Sequence, residues 1–183
     1  AELSRKVQLA NEMTQQVIQG LRNISRDLRP PALSAFGLEQ AIYSHIERFE
    51  ELHPELEIHT DLSADGLDMD ERMRLVLFRI YQNAVSNVVR HAEAKSIWVS
   101  LDMDDQKVIL IIKDDGKGFV VPERWVELAR NGHLGLVGTR ERVEAIGGLL
   151  EIQSILGEGT TLRVSVPRVP QHSGNTGSLP ALP

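Results

Sequence analysis

The sequence predicts a mixed α/β domain preceded by a long helix, and three observations support this fold class. Apolar residues recur at helical spacing in some segments and alternate in the strand manner in others. The unbroken apolar run at residues 108–112 predicts a buried strand. With 183 residues, 42% of them hydrophobic, the chain is long enough for one good-sized domain with its own core.

The composition narrows the functional classes. A net charge of −6 argues against a nucleic-acid-binding surface, which needs clustered Lys and Arg. The absence of cysteine excludes disulfides and thiolate metal sites, and it is compatible with a reducing cytoplasm. The sequence has no signal peptide and no long apolar span. Because residue 1 is not Met, we expect this chain to be part of a longer protein. A membrane anchor upstream of residue 1 is one possibility for that protein.

Residues 3–28 are predicted to form a helix that packs against another helix. The rest of this segment is polar, so the helix is not expected to be stable alone. We therefore expect a homodimer or a partner helix upstream, and a helix lying flat on its own domain is the alternative. Pro30 and Pro31 are predicted to end it. Its apolar or small residues alternate in steps of four and three: Leu3, Val7, Ala10, Thr14, Val17, Leu21, Ile24 and Leu28.

Helices and strands are predicted to alternate after these prolines. Asp68 or Asp70 can cap the third helix. From about residue 169 the chain is rich in Pro, Gly and Ser, which predicts a disordered tail. The predicted helices cover residues 38–52, a segment ending near 91 and a segment ending near 146, and the predicted strands cover residues 56–62, 96–101, 107–113, 149–155 and 160–166.

The third predicted helix presents two stripes at 100° per residue. One stripe is apolar and indicates the buried face. The other borders it and is formed by Asn83, Asn87, Arg90 and His91. Four polar side chains along the edge of a buried face favour a ligand site, and a solvated flank is the alternative.

Two glycine-rich stretches also suggest a ligand site. The motif D-D-G-K-G-F at residues 114–119 follows the buried strand, where glycine lets a ligand approach the backbone and a carboxylate can accept from an amine. Alone, this motif also fits a polar hairpin turn. The stretch G-H-L-G-L-V-G at residues 132–138 precedes a helix, whose N-terminus favours anions. Between them, residues 120–131 predict a mobile segment over the site.

Taken together, these motifs resemble the sensor histidine kinases of two-component systems, over about residues 3–167. The resemblance is to the class whose dimerisation helix ends in L-R-P-x-x-L followed by G-L-x-x-A, here residues 28–33 and 37–41. Especially close to this class are G-T-R-E-R-V at 138–143, G-G at 147–148 and G-E-G-T at 157–160.

The resemblance implies a two-layer α/β sandwich with a mixed sheet, of the GHKL type shared with gyrase, Hsp90 and MutL, preceded by the dimerisation helix. It divides the chain into part of that helix at residues 1–29, an ATP-binding catalytic domain at 30–168 and the tail at 169–183. The implied enzyme is an ATP-dependent protein histidine kinase. Its cofactors are ATP and Mg²⁺, because the charge of the triphosphate must be neutralised for transfer.

The resemblance also implies roles for individual residues. Asp114 would accept from the adenine amine, with Thr160 supporting it through water, and Asn87 would ligate Mg²⁺. Asn83 and His91 are the catalytic candidates. The implied nucleotide-binding residues are Asn87, Arg90, His91, Asp114, Gly116, Lys117, Gly118, Gly132, His133, Gly135, Leu136, Gly138 and Thr160.

Two departures from the family pattern matter. None of the six histidines lies in the setting of the phosphate acceptor, a His followed by an acid, so we expect the acceptor upstream of residue 1. The Glu that stands four residues before the Mg²⁺-ligating Asn is replaced by Asn83. An amide cannot take a proton at neutral pH, so the change is expected to affect catalytic rate more than binding.

Three functions fit these features. The leading hypothesis is a kinase module that transfers the γ-phosphoryl group of ATP to a histidine upstream of the chain. The alternative, which Asn83 favours, is a nucleotide-binding but catalytically weak dimeric scaffold or switch. A direct serine kinase or ATPase of the same fold is disfavoured by the dimerisation helix.

The resemblance implies partners as well. We expect a homodimer through the N-terminal helix and a response regulator with a helix-turn-helix DNA-binding output domain. No direct contact with nucleic acid is expected. The chain is expected in the cytoplasm, with membrane contact only through upstream segments of a longer protein.

Overall fold

The computed structural model describes residues 31–65, 69–122 and 134–168. Within these ranges, five strands form one sheet in the order β1-β2-β3-β5-β4. The strands are β1 (Glu57–Leu62), β2 (Ser96–Met103), β3 (Lys107–Asp114), β4 (Leu149–Ile155) and β5 (Gly159–Pro167).

The helices precede, connect and follow these strands. The Asp70 carboxylate caps α3 by accepting from the backbone N–H groups of Arg72 and Met73, in agreement with the predicted cap. A π-helical turn (Val88–Ala92) follows α3 directly. The helices are α1 (Pro31–Phe36), α2 (Leu38–Leu52), α3 (Glu71–Asn87) and α4 (Leu134–Glu144).

The sheet is mixed because β1 pairs with β2 in parallel, whereas the other neighbours are antiparallel. Parallel neighbours need a long crossover connection, and α3 supplies it between β1 and β2. A tight turn suffices between β2 and β3, where the Asp104 carboxylate accepts from the backbone N–H groups of Gln106 and Lys107.

Burial alternates along the central strands, because successive side chains point to opposite faces of a sheet. In β2, Ile97 and Val99 are at most 1% exposed, whereas Trp98 between them is 38% exposed. The inward side chains pack with buried residues of α2, α3 and α4 in one core. The predicted two-layer α/β sandwich with a mixed sheet is confirmed.

Element boundaries differ from the predictions in two places. A helix begins at Pro31, where we expected one to end, because the fixed φ of proline suits the first position of a helix. The third helix was predicted to continue to about His91, but α3 ends at Asn87 and the π-helical turn takes over. The predicted strands match the observed ones to within one or two residues at either end.

The corner between α1 and α2 is held to the domain by two buried charged side chains. Arg74 donates through Nε to the carbonyl of Met69 and through Nη1 to the carbonyl of Leu33, both at 3.1 Å. The Asp65 carboxylate accepts from the backbone N–H of Leu38 at 2.9 Å. Leu33 of the L-R-P-x-x-L motif and Leu38 of the G-L-x-x-A motif therefore pack as part of the domain.

Several predictions fall on other parts of the chain. The dimerisation helix at residues 3–28, most of the segment over the site and the tail from residue 169 lie outside the described residues, so the division into domains stays a prediction. In the described part of the chain, no helix has the length and apolar character needed to span a membrane.

Candidate functional site

A cavity of about 640 Å³ lies between α3, the π-helical turn, the end of β3 and the start of α4. This volume falls in the usual range for small-molecule and cofactor sites, roughly 300–1,000 Å³. Its walls combine apolar side chains with a few polar ones: Asn83, Ala84, Asn87, Val88, Arg90, His91, Ala92, Ile112, Asp114, Lys117, Gly118, Phe119, Gly135, Leu136, Thr160 and Leu162.

Asp114 is the buried acid of this cavity. It is the last residue of β3 and points to the helix-covered side of the sheet, where only 6% of it is exposed. Burial raises the pKa of Asp114, and hydrogen bonds from the backbone N–H groups of Gly116 and Thr160 partly oppose that rise. The Gly116 bond measures 2.9 Å. A partly desolvated carboxylate with spare lone pairs is suited to accept from a ligand N–H.

The glycines after Asp114 are required by close approach of the protein's own backbone. Gly118 has φ +60°, and a Cβ there would collide with the carbonyl oxygen of Ile155. A Cβ on Gly116 would collide with the carbonyl oxygen of Ala92. We expected these glycines to make room for a ligand, which stays a prediction. The structure adds a second reason for glycine, since the missing side chains let the loop pack between two segments.

Polar contacts fix the same loop from outside the cavity. The Asp115 carboxylate accepts from the backbone N–H groups of Lys95 and Ser96 at 2.8 and 2.9 Å. The ammonium of Lys117 contacts the Glu93 carboxylate at 2.7 Å, although the Lys117 side chain also lines the cavity. Both charges of this pair are largely exposed, so the pair contributes little to stability.

The two asparagines of α3 contact each other on the opposite wall. Asn87 Nδ2 donates to Asn83 Oδ1 at 3.0 Å. Gly135, in the first turn of α4, approaches the pair so closely that a Cβ there would lie 3.4 Å from Asn83 Oδ1. The amides therefore fill the gap between the two helices, and in this orientation Asn87 Oδ1 can bind a ligand or a cation.

Arg90 and His91 lie on the π-helical turn and are exposed at the cavity wall. A π-helical turn holds residues of a helix end in an altered register, and such turns are frequent at functional sites. Thr160, at the start of β5, faces Asp114 across the β3–β5 pair, and its Oγ1 lies 2.9 Å from Ser154 Oγ.

The structure brings most of the sequence-predicted residues to this cavity. Gly116 and Gly138 do not line it; a Cβ on Gly138 would lie 3.5 Å from the Arg142 guanidinium. Gly132 and His133 lie outside the described residues. The predicted residues on the cavity wall are Asn83, Asn87, Arg90, His91, Asp114, Lys117, Gly118, Gly135, Leu136 and Thr160.

The sequence reasoning missed the apolar part of the wall apart from Leu136. Ile112 and Leu162 are inward-facing residues of the paired strands β3 and β5. On that face, Ile112 lies two positions before Asp114, and Leu162 lies two positions after Thr160. The period-2 pattern of β3 and β5 could have identified them, because residues two apart share a face. The other missed wall residues are Ala84, Val88, Ala92 and Phe119.

The residues present fit an adenine nucleotide with Mg²⁺. The cavity offers an apolar slot, a buried acceptor at Asp114 and a neutral amide oxygen at Asn87. Among the described residues, no group of three or more acids or histidines could hold a metal alone. Mg²⁺ usually keeps several waters and binds through one or two protein oxygens and substrate phosphates, so a single amide ligand suits it.

The chain is similar to known bacterial signalling proteins. It is 35% identical over 141 residues to DegS of Bacillus subtilis, a signal transduction histidine-protein kinase/phosphatase, covering 76% of this chain and 36% of that protein. It is 33% identical over 164 residues to UhpB of Salmonella typhimurium, covering 88% and 31%. The chain therefore spans less than half the length of these relatives.

Solved structures share the fold. The histidine kinase domain of the Erythrobacter litoralis blue-light activated histidine kinase matches with a TM-score of 0.56 at 20% identity, over 71% of this chain and 60% of that one. The mycobacterial sensor histidine kinase MprB matches with a TM-score of 0.53 at 20% identity, over 69% and 91%.

A family model gives the broadest assignment. Residues 73–170 match the model for histidine kinase-, DNA gyrase B-, and HSP90-like ATPases. This range is more than half of the chain and includes most of α3, all but one strand of the sheet and every residue of the cavity wall. The chain therefore belongs to the histidine kinase-, DNA gyrase B-, and HSP90-like ATPase family.

Proposed function

We propose that this chain binds ATP with Mg²⁺ and is the catalytic domain of a two-component sensor histidine kinase. The observation that carries the proposal is the cavity, which places the buried acid Asp114 on one wall and the Asn83–Asn87 amide pair on another. These are a base-recognising group and a cation-binding group, in a chain of the matching family.

In this proposal each wall residue has a separate task. Asp114 accepts from the exocyclic amine of adenine, with Thr160 beside it, while the apolar residues cover the base. Asn87 Oδ1 would be a ligand for Mg²⁺, and the bound cation would neutralise charge on the triphosphate. Arg90 and His91, on the exposed π-helical turn, lie near the phosphates. Gly135 and Leu136 of α4 close the same side of the cavity.

The proposed reaction moves the γ-phosphoryl group to a histidine outside residues 1–183. An imidazole nitrogen attacks the γ-phosphorus, the bond to the bridging oxygen breaks, and ADP leaves. Transfer of this kind depends mainly on positioning and on stabilising negative charge. The residues of this cavity would hold the nucleotide and the cation, and none of them needs to form a covalent bond.

The first test is binding. Calorimetric titration of the 183-residue chain with ATP in the presence of Mg²⁺ should show a single site, and the affinity should drop when Mg²⁺ is removed. Absence of any heat or displacement signal with ATP would refute the proposal.

The second test is transfer. With radiolabelled ATP, the 183-residue chain alone should acquire no acid-labile, base-stable label, because we expect the acceptor histidine elsewhere. The full-length protein should acquire such label outside this region. Label on a histidine of the chain itself would contradict the proposed location of the acceptor.

One observation favours a second candidate function. The amide pair contains no carboxylate, so neither Asn83 nor Asn87 can take a proton or polarise a water by charge. A nucleotide-binding but catalytically weak switch would not need a carboxylate at this position. It predicts ATP binding by the chain together with no label in the full-length protein.

We further propose the wider setting that the kinase relatives suggest. The full-length protein would form a homodimer through its N-terminal helix and pass the phosphoryl group to a response regulator with a helix-turn-helix DNA-binding domain. The chain itself would work in the cytoplasm, without binding nucleic acid, and any membrane contact would come from other segments.

A further inference from the structure

Ser154 on β4 stands directly behind the cavity wall. Its hydroxyl contacts three groups: the backbone N–H of Phe119 at 2.9 Å, the carbonyl of Gly159 at 3.0 Å and the hydroxyl of Thr160 at 2.9 Å. Ser154 and Thr160 are cross-strand partners in the β4–β5 pair. Thr160 lines the cavity, and Ser154 does not.

These partners determine the direction of every hydrogen bond. A hydroxyl offers one proton and two lone pairs. The Phe119 N–H can only donate, and the Gly159 carbonyl can only accept. Ser154 therefore gives its single proton to Gly159, so Thr160 must be the donor in the bond between the two hydroxyls.

Thr160 consequently has no proton left for the cavity. Its Oγ1 presents only lone pairs there, next to the Asp114 carboxylate, which faces it across the β3–β5 pair. A base edge at this position meets two acceptors side by side. An exocyclic amine can donate to both, whereas a carbonyl oxygen in the same place meets acceptors only.

We propose that Ser154 is a positioning residue that selects 6-aminopurine over 6-oxopurine nucleotides by holding the Thr160 proton away from the cavity. The proposal rests on the proposed adenine-nucleotide function. It adds a specificity element that does not touch the ligand and that acts through Thr160.

The test compares ATP with inosine triphosphate, which carries a 6-oxo group in place of the 6-amino group and an N–H in place of the bare nitrogen at N1. Because these base differences are the same for every variant, the change in the affinity ratio between variants reports on Thr160. The dissociation constants of both are measured with Mg²⁺ on the 183-residue chain. Ser154→Ala frees the Thr160 proton to donate to a 6-oxo group. The preference for ATP over inosine triphosphate should therefore fall about tenfold, the effect of one redirected hydrogen bond. If Ser154 only supported the fold, both affinities would fall together and the ratio would stay the same, which would overturn the proposal.

Two further variants make the result specific. Ser154→Thr keeps a hydroxyl and should retain the natural ratio, while Gln153→Ala, on the exposed side of the same strand, is the matched control. Thr160→Val removes the lone pairs facing the base, so it should lower the preference for ATP even if Ser154→Ala does not fold. If the affinities for ATP and inosine triphosphate fell equally in Thr160→Val, the ratio would be unchanged, which would contradict the proposal that Thr160 presents lone pairs to the base.

A double variant tests the route. In a Thr160→Val background, Ser154→Ala should leave the ratio unchanged, because its effect passes through the missing hydroxyl. A further change in the ratio would overturn the proposed route. If the unmodified chain bound neither nucleotide, the proposed function would fail; ATP binding with an unaltered ratio in the variants would refute only the role of Ser154.

Discussion

Asn87 donates its side-chain N–H to the side-chain oxygen of Asn83 across 3.0 Å, one turn earlier on α3 and on the same cavity wall. This contact fixes the orientation of the Asn87 amide and leaves its oxygen for another partner. Since both groups are neutral, the pair can orient a cation ligand without adding negative charge beside the phosphates.

Placing a carboxylate at residue 83, where the family pattern has Glu, should alter the rate of phosphoryl transfer more than the affinity for ATP. In the full-length protein, Asn83→Glu should speed phosphoryl transfer toward the bottom of the roughly 10²–10⁴-fold range typical of a placed base, or below it. Transfer to an imidazole depends more on positioning and charge neutralisation, so a large gain is not expected. Transfer rate and ATP affinity are measured in parallel, and Asn83→Gln provides a control of equal length without charge.

The outcomes of this experiment separate the two candidate functions. A natural protein that transfers, with Asn83→Glu no faster, would mean that the amide is tolerated in a working kinase. A natural protein without transfer, rescued by Asn83→Glu and not by Asn83→Gln, would favour the switch. We expect the natural protein to transfer.

Replacing Asp114 should weaken ATP binding while sparing the fold. Asp114→Asn keeps an oxygen that can accept from Gly116 but loses the charge that strengthens the bond to the adenine amine. A charge-assisted hydrogen bond contributes about 1.5–3 kcal/mol, so the dissociation constant should rise at least about tenfold. Calorimetry with ATP and Mg²⁺ checks this, and unchanged affinity would exclude Asp114 from the site.

The raised pKa of Asp114 also predicts a pH dependence. Because burial raises the pKa in the folded state, the folded domain holds this proton more tightly than the unfolded chain. The favourable contribution of Asp114 to stability is therefore complete below its unfolded pKa and is lost as pH rises through the folded value. The Asp114→Asn variant has no such pH-dependent loss of stability. Its unfolding free energy, relative to that of the natural chain, should therefore increase with pH across this window. Urea titrations across acidic pH measure the difference, and a difference independent of pH would contradict the prediction.

Adding a side chain should destabilise the fold more at Gly118 than at Gly157. Both have positive φ, but a Cβ would collide with the Ile155 carbonyl at Gly118 and would meet nothing within 4 Å at Gly157. Gly157→Ala should therefore cost only the conformational penalty, about 1–2 kcal/mol. Gly118→Ala adds a steric cost of about 1–3 kcal/mol. Urea denaturation compares the two variants, and equal losses would show that the collision is relieved cheaply.

Arg74 should be important for stability, unlike its neighbour Arg72. Arg74→Met leaves the carbonyls of Leu33 and Met69 without their donor, and each buried unpaired group costs about 1–3 kcal/mol. Arg72 is exposed, with one long contact of 3.4 Å to the Ala145 carbonyl, so Arg72→Met should change stability by less than about 0.5 kcal/mol. Unfolding free energies give the comparison, and similar losses for both would mean that the corner between α1 and α2 does not depend on Arg74.

Much of this molecule could be predicted from local patterns. The alternation in β3 and β5 and the stripe on α3 follow from burial on one face, so the strands, the helices and the cavity between them were expected. Asp114 was singled out because its motif follows a predicted strand, and Asn87 because it lies in the polar stripe of a predicted helix.

Other features depend on distant parts of the chain and could not be predicted in this way. At Gly116 and Gly118 a side chain would collide with the backbone of Ala92 and Ile155, which the motif itself does not contain. The π-helical turn after Asn87 has no recognisable residue pattern here. The three-way contact of Ser154 needs a strand pairing and a loop to meet at one hydroxyl.

Parallel pairing of β1 with β2 limits the order in which the sheet can form. The β2–β3 and β4–β5 hairpins close over short turns, whereas β1 reaches β2 only after the chain from Leu62 to Ser96 has folded back. Closing a loop of that length costs conformational entropy before any stabilising contact between β1 and β2 forms. In pulse-labelled hydrogen exchange during refolding, amides shared by β2 and β3 should thus gain protection before those shared by β1 and β2. Strand β1 would then add to a β2–β3 hairpin that has already formed.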